Sequence, residues 1–351
     1  GEGDLPTPAF IAEAASRSLA AGETFYTYQA GIPSFRETIA RYLSAMYGRD
    51  IAPGRIFVTN GGMHALQIAA TLTASTGDEV IVPSPAWPNF IGALSVSGAK
   101  PVEVAMRFGN RGWQLDIEDI ARAITPKTRA IVINSPANPT GWTATREELV
   151  EILALARKHG LWIIADEIYG RFFYEAPRAP SFKDVMDAED KVLFVQTMSK
   201  NWAMTGWRIG WLEAPEALAQ TIVNLIQYSS SGTPVFAQRA AEAAIAGGES
   251  FIVEQIKRAH VNRDVLMKAF AKEPRFRIAS PQGAFYLFFG VEGVEDTRKL
   301  AFHLIDEANV GLAPGTAFGA VGQGFLRLCY LRKTADIEEA ARRLAMAVSR
   351  M

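Results

Sequence analysis

The sequence has 351 residues, of which 49% are hydrophobic and 21% charged, a balance typical of globular proteins with two domains or one large and one smaller domain. Its formal net charge of −1 excludes the strongly basic composition of proteins that bind nucleic acid or anionic membranes. The single cysteine, Cys329, excludes an intrachain disulfide and predicts a cytoplasmic protein. Because Cys329 lies in an apolar run, we expect its side chain to be buried in the core.

Short β-rich runs alternate with longer helical patterns from about residue 55 onward. The runs that predict strands are residues 55–59, 79–82, 129–134, 161–165, 192–195 and 208–212. The patterns that predict helices are residues 64–74 and a stretch ending near residue 160, which has Thr145 as its N-cap. This alternation predicts an α/β fold, with a mixed, mostly parallel sheet flanked by helices. Ligands of such sheets bind at the carboxyl ends of the strands.

The last third of the chain has a different pattern. Residues 249–272 form a long, charged amphipathic helix pattern, and two strand-like runs follow at residues 284–289 and 324–328. We therefore predict a smaller α+β domain in this part. The predicted boundaries are residues 24–250 for the large domain, with residues 1–23 and 251–351 forming the small domain that closes over the site.

The stretch from Ser199 to Trp211 is the most informative one. Lys200 follows the apolar run at residues 192–195, and Arg208 comes eight residues later. A lysine at a strand exit, among hydroxyls and small residues, is suited to form a Schiff base with a carbonyl. An arginine held nearby by bulky neighbours can bind a phosphate. Together they indicate a lysine-bound pyridoxal 5′-phosphate (PLP).

Asp166 and Tyr169 follow the apolar run at residues 161–165. A carboxylate at the end of a buried strand is costly unless a cation meets it, and a protonated pyridine nitrogen is such a partner. Tyr169 can then hydrogen-bond the phenolic oxygen of the same ring. Taken alone, the pattern equally fits a helix N-cap aspartate followed by a packing tyrosine.

Three further positions have both a structural and a functional interpretation. Asn138 lies in an Asn-Pro-Thr-Gly turn and carries a donor that can reach the phenolic oxygen. Trp87, at another strand exit, is either a core residue or an indole that stacks on a flat ring. The backbone N–H groups of Gly61, Gly62 and Met63, between a strand and a helix, can cradle a phosphate.

Arg327 is the most unusual charge in the chain, because it lies inside an apolar strand. An arginine there needs an anion, which is either a buried carboxylate of the protein or the carboxylate of a substrate. We predict no metal site, since the four histidines have no metal-ligand spacing; they are His64, His159, His260 and His303.

Taken together, these motifs resemble the class I/II aminotransferases of PLP fold type I, most closely the bacterial aspartate aminotransferase-like enzymes. The resemblance covers essentially the whole chain. The matching segments are Gly1 to Pro8, Tyr26 to Pro33, Asn138 to Gly141, Asp166 to Tyr169, Ser199 to Arg208, and Arg327. Six motifs in the family order favour the functional interpretation of each residue.

The resemblance implies a role for each cofactor-facing residue. Lys200 would hold PLP and move the proton at the substrate Cα, and Asp166 would pair with the pyridine nitrogen. Asn138 and Tyr169 would bond the phenolic oxygen. The remaining contacts implied are Arg208, Gly61, Gly62, Met63 and Thr197 at the phosphate, and Trp87 over the ring face. Thr197 stands where the family frequently has a serine.

The resemblance also implies how substrate and a second subunit bind. Arg327 would grip the substrate α-carboxylate beside Asn138, with the Gly1 segment closing over it. Tyr26 matches a tyrosine that reaches the phosphate of the neighbouring subunit, which implies a homodimer with shared active sites.

The activity implied is transfer of an amino group from an L-amino acid to a 2-oxo acid by a ping-pong route. Because fold does not settle reaction type, a PLP-dependent lyase or decarboxylase stays open, and so does a PLP-binding regulator without turnover. The donor side chain is also open: aspartate, aromatic and small aliphatic amino acids all fit.

Overall fold

Strands and helices alternate along most of the chain in the computed structural model, which describes residues 1–351. The strands are β1 (Ile56–Thr59), β2 (Glu79–Ser84), β3 (Lys100–Ala105), β4 (Arg107–Gly109), β5 (Gly112–Gln114), β6 (Thr128–Asn134), β7 (Trp162–Asp166), β8 (Val192–Thr197), β9 (Gly210–Glu213), β10 (Phe276–Arg277), β11 (Tyr286–Val291), β12 (Ala313–Pro314) and β13 (Phe325–Cys329). The helices are α1 (Ala9–Ala20), α2 (Pro33–Tyr47), α3 (Gly62–Thr73), α4 (Pro88–Val96), α5 (Ile117–Ala123), α6 (Arg146–His159), α7 (Ala219–Ser230), α8 (Val235–Gly247), α9 (Glu249–Phe270), α10 (Thr297–Ala308) and α11 (Thr334–Ser349).

The largest sheet has seven strands in the order β1-β9-β8-β7-β6-β2-β3. Only β9 runs antiparallel to its neighbours, so the predicted mixed, mostly parallel sheet is confirmed. Asn134, Asp166 and Thr197 are the last residues of three adjacent strands, β6, β7 and β8. Parallel pairing brings these three polar residues to one edge of the sheet, where ligands of α/β proteins bind.

A second, antiparallel sheet has the order β10-β11-β13-β12. Its register pairs Tyr286 with Cys329 and Phe288 with Arg327. Because side chains alternate along a strand, these four residues share one face of the sheet. The segment that follows β7 packs against the residue that precedes β11, with the rings of Phe172 and Phe285 4.9 Å apart.

Local sequence signals account for the helix boundaries. Thr145 caps α6 through a capping box with Glu148, and Gly160 ends that helix in a left-handed conformation with φ of 66°. No helix of the chain has the length and apolar composition that crossing a bilayer requires.

Two sequence-based expectations were wrong. The strand predicted at residues 208–212 begins only at Gly210, because Arg208 adopts a left-handed conformation with φ of 52°. Cys329 is half-buried rather than in the core, with its Sγ 3.7 Å from the carbonyl of Glu2. Although Tyr286 and Phe288 on the same face are buried, Cys329 lies where this face meets the opening segment of the chain.

The domain boundaries and the cytoplasmic location stay predictions. Helix α1, which we assigned to the small domain, packs against α8 of the large one. Ile11 and Ala15 of α1 share an apolar cluster with Ala240 and Ala244 of α8.

Candidate active site

A cavity of about 220 Å³ opens at the carboxyl ends of β6, β7 and β8. The residues lining it are Gly1, Gly62, Met63, Trp87, Asn134, Asn138, Asp166, Ile168, Tyr169, Val195, Thr197, Ser199, Lys200, Thr205, Arg208 and Tyr286. Ten of the predicted site residues are therefore brought together, although they are dispersed over 200 positions of the chain. Gly61 and Arg327 lie directly behind this lining, and Tyr26 lies elsewhere.

Asp166 is a buried carboxyl group without a cationic partner in the chain. Its side chain is 1% exposed, and its Oδ1 accepts a hydrogen bond from the N–H of Ile168 at 3.2 Å. Burial, with a smaller contribution from the neighbouring Glu167, raises the pKa of Asp166 to about 7. No ion pair of the chain includes this carboxylate. A cationic ring nitrogen in the cavity would stabilise its charged form, so the site fits a protonated pyridine.

Lys200 projects into the same cavity from the turn that follows β8. Its Nζ donates to the carbonyl of Gly1 at 2.9 Å and pairs with no carboxylate. Burial is the largest influence on this ammonium and lowers the pKa of Lys200. A lysine that loses its proton more readily is a better nucleophile toward a carbonyl and a better proton acceptor.

The start of α3 and Arg208 form an anion cradle. No side chain caps α3, and the N–H groups of His64 and Ala65 already bond the Gly61 carbonyl. The N–H groups of Gly62 and Met63 are therefore open to the cavity, since the first turn of a helix has no internal acceptors for them.

The cradle requires glycine at position 61. Gly61 has φ of +83°, and a Cβ there would lie 2.5 Å from Nη2 of Arg208. The Arg208 guanidinium donates to the carbonyl of Thr205 at 2.7 Å and forms no ion pair within the chain. Open N–H groups, a helix N-terminus and an unpaired guanidinium together fit the phosphate of PLP.

Trp87 and Thr197 line the cavity between the cradle and Asp166. The indole of Trp87 packs perpendicular to the ring of Phe90, with centroids 5.6 Å apart, which restricts its orientation at the cavity wall. The Thr197 hydroxyl hydrogen-bonds the Ser199 hydroxyl at 2.9 Å. Either hydroxyl can turn toward an anion in the cradle, which makes Ser199 a candidate that the sequence did not single out.

Arg327 has no carboxylate partner in the chain. Of its two interpretations, the structural salt bridge is therefore excluded and the substrate carboxylate is left. Its Nη1 donates to Oδ1 of Asn138 at 2.9 Å, while its Nε is buried without any partner. The guanidinium lies against the rings of Tyr286 and Phe318, with Cζ 4.7 and 4.8 Å from their centroids. A partly buried guanidinium with an unused, buried donor favours binding of a carboxylate.

Tyr286 and Asn134 are site residues that sequence analysis missed. The Tyr286 hydroxyl lies 2.8 Å from that of Tyr169. Asn134 Oδ1 accepts from the N–H of Asn138 at 2.8 Å, and its Nδ2 donates to the Asp166 carbonyl at 3.2 Å. The position of Asn134 at the end of a predicted strand was a usable signal. Tyr286 lies in a wholly apolar run that offered none.

Tyr26 does not reach the cavity of its own chain. Its side chain is 94% exposed and lines a separate groove together with Phe25, which is 84% exposed; Tyr228, in α7, is a further exposed ring at 81%. Such a concentration of exposed aromatic rings is typical of a protein–protein interface.

Comparison with known proteins assigns the family. The family model described as aminotransferase class I and II matches residues 1–344. A probable aspartate/prephenate aminotransferase of Aquifex aeolicus is 37% identical, covering 99% of this chain and 89% of the relative. An aspartate aminotransferase of Thermotoga maritima is 36% identical, covering 98% and 89%.

The structure of an aromatic aminotransferase from Pyrococcus horikoshii superposes with a TM-score of 0.94 at 32% identity, covering 100% of this chain and 94% of that one. The sequence match and the shared architecture agree over the full length of the chain. The chain therefore belongs to the class I and II aminotransferases and is a PLP-dependent transferase of the same fold.

Proposed function

We propose that this aminotransferase takes the amino group of L-aspartate and passes it to a 2-oxo acid. The observation that carries the binding of an amino acid is the guanidinium of Arg327, which has no carboxylate partner and lies beside the cavity that Lys200 and Asp166 line. Relatives named aspartate aminotransferase, at 36% identity in Thermotoga maritima, support the choice of donor.

Aromatic amino acids are the second candidate donor. Apart from Lys200 and Arg208, no basic side chain lines the cavity, so this chain by itself offers little to a second carboxylate. The lining instead includes the rings of Trp87, Tyr169 and Tyr286. The aromatic aminotransferase of Pyrococcus horikoshii, at a TM-score of 0.94, supports this alternative.

PLP, when bound, supplies a carbonyl for the amino group and a ring that accepts electrons from the substrate Cα. We propose that Asp166 holds the ring nitrogen protonated and that Tyr169 and Asn138 bind the phenolic oxygen. The proposed phosphate site consists of Arg208, Thr197 and the backbone N–H groups of Gly62 and Met63, because the N–H of Gly61 already bonds the carbonyl of Thr59 at 2.7 Å. Trp87 would cover one face of the ring.

Lys200 is the proposed proton carrier. Its Nζ would take the proton from the substrate Cα, and its lowered pKa favours the neutral amine that this step needs. Its hydrogen bond to the Gly1 carbonyl would break as substrate enters, because substrate occupies the same end of the cavity. Arg327 would orient the α-carboxylate during this step, with Asn138 on its other side.

Two experiments test this proposal. Borohydride reduction of the holoenzyme, followed by peptide mapping, should place the pyridoxyl group on Lys200. A label on another lysine would exclude the role of Lys200. In the second experiment, the cofactor absorbance is followed while L-aspartate, L-tyrosine and L-alanine are added separately. The aspartate proposal predicts the largest change at low concentration with aspartate, and a preference for tyrosine would overturn it in favour of aromatic donors.

We also propose that two subunits share each active site. The exposed side chains of Tyr26, Phe25 and Tyr228 support an interface, and the family resemblance places Tyr26 at the phosphate of the partner subunit. Mixing inactive Tyr26→Phe and Lys200→Ala subunits should restore part of the activity, because a hybrid dimer has one site without either substitution. Absence of recovery in hybrids shown to form would place Tyr26 outside the partner's site.

A further inference from the structure

Tyr286 has no role in the function described so far, although its position is central. It is the first residue of β11, its side chain is fully buried, and it lines the cavity. The titratable and charged side chains that face it are Tyr169, from the segment after β7, and Arg327 and Cys329, from β13. Tyr286 therefore contacts both Tyr169, which is proposed to face the cofactor, and Arg327, which is proposed to bind the substrate.

The hydroxyl of Tyr286 has a limited choice of partners. It lies 2.8 Å from the hydroxyl of Tyr169 and 3.4 Å from the carbonyl of Gly1, and the shorter contact is the stronger. Each hydroxyl carries one proton. When an acceptor in the cavity takes the proton of Tyr169, the oxygen of Tyr169 is free to accept the proton of Tyr286. Hydrogen bonds in such a chain strengthen one another, because each donor polarises the next.

The ring of Tyr286 has a separate contact. Its centroid lies 4.7 Å from Cζ of Arg327, and the centroid of Phe318 lies 4.8 Å from the same atom. The ring also meets that of Tyr169 edge-on, with centroids 5.6 Å apart and an interplanar angle of 87°. These contacts restrict where the guanidinium can lie, since it has only one hydrogen bond of its own, to Asn138.

We propose that Tyr286 is a positioning residue with two separable actions. Its hydroxyl directs the proton of Tyr169 toward the cofactor, and its ring holds Arg327 in the orientation that binds the substrate carboxylate. This inference rests on the proposed roles of Tyr169 and Arg327, so the experiments include variants of both of these residues.

The first experiment follows the absorbance of the bound cofactor in holoenzyme as a function of pH. A donor to the phenolic oxygen favours its anionic form, so losing the donor raises the pH midpoint. Tyr169→Phe should raise the midpoint by about 1–2 pH units, as expected for a hydrogen bond to a charged group. Tyr286→Phe should raise it by roughly 0.3 pH unit, because it removes only the polarisation of that bond. In the Tyr169→Phe background, Tyr286→Phe should add no shift.

The second experiment compares two substitutions at position 286 by the dissociation constant of the amino acid donor. The probe is whichever of L-aspartate and L-tyrosine gives the larger change in cofactor absorbance with the wild type, measured in a single half-reaction. Tyr286→Phe keeps the ring and should leave this constant within about twofold, whereas Tyr286→Leu removes the stacking and should weaken binding about 5- to 30-fold. Arg327→Met serves as the reference for complete loss of the carboxylate contact.

The outcomes separate the two proposals. A midpoint that moves in Tyr169→Phe but not in Tyr286→Phe overturns the action of the Tyr286 hydroxyl, while no movement in either overturns the role of Tyr169 itself. Equal donor affinity in Tyr286→Leu and wild type overturns the action of the ring, provided Arg327→Met weakens binding. If Tyr286→Leu does not fold, as judged by near-ultraviolet circular dichroism, Tyr286→Met takes its place, since its volume is closer to that of tyrosine.

Discussion

Replacing Arg327 by methionine tests whether this arginine stabilises the fold or binds the substrate carboxylate. Methionine keeps an apolar stem of similar length and removes the guanidinium. The guanidinium makes one hydrogen bond, to Asn138 at 2.9 Å, and leaves Nε buried without a partner. Losing this hydrogen bond lowers the free energy of unfolding by about 1 kcal/mol. Removing the unsatisfied buried donor raises it by a comparable amount. We expect the free energy of unfolding to change by no more than about 1 kcal/mol.

The effect on substrate should be much larger. Losing one partner of a desolvated charge pair costs about 2–5 kcal/mol, which is roughly a 30- to 5,000-fold increase in the dissociation constant of the amino acid. The assay is the change in cofactor absorbance on titration with L-aspartate and with L-tyrosine, beside urea unfolding of the same holoenzyme.

Arg277→Met is the matched control. Arg277 belongs to the same small sheet and lies 4.9 Å from the ring of Phe325, but its side chain is exposed and outside the cavity. This variant should bind the donor as wild type does. An Arg327→Met variant that unfolds readily yet binds the donor normally would refute the reasoning, because it would make Arg327 a structural residue.

Three further outcomes are expected. Burial raises the pKa of Asp166 from 3.8 to about 7, so the native state keeps a proton that the unfolded chain has lost between pH 4 and 7. The stability of the cofactor-free protein should therefore fall by roughly 4 kcal/mol as pH rises through this window, and Asp166→Asn should remove that fall in urea unfolding. Gly61→Ala should raise the dissociation constant for PLP, because its Cβ would lie 2.5 Å from Arg208 Nη2, whereas Gly77→Ala, at φ of +91° with no atom within 4 Å, should lower stability alone. Thr145→Ala should lower the free energy of unfolding by about 1 kcal/mol through loss of the α6 cap, with donor binding unchanged.

The sequence alone determined features that depend on neighbours along the chain. Thr145 and Glu148 are three residues apart, so the capping box that begins α6 is visible in the sequence. The positions of Asp166 and Lys200 after apolar strands are local in the same sense, because parallel strands carry their carboxyl ends to one edge of the sheet. Arg327 was conspicuous because a charge inside an apolar strand has few explanations.

Only the tertiary structure decided which residues meet. Arg327 bonds Asn138 across 189 positions, and Tyr286 bonds Tyr169 across 117. Alternation along a strand tells which side chains share a face, but what that face contacts depends on how the two sheets pack. For the same reason, the apolar run around Cys329 predicted a buried thiol, although this thiol is half-buried and lies against the opening segment. Burial of apolar surface depends on how the whole chain packs, and a local sequence pattern does not determine that packing.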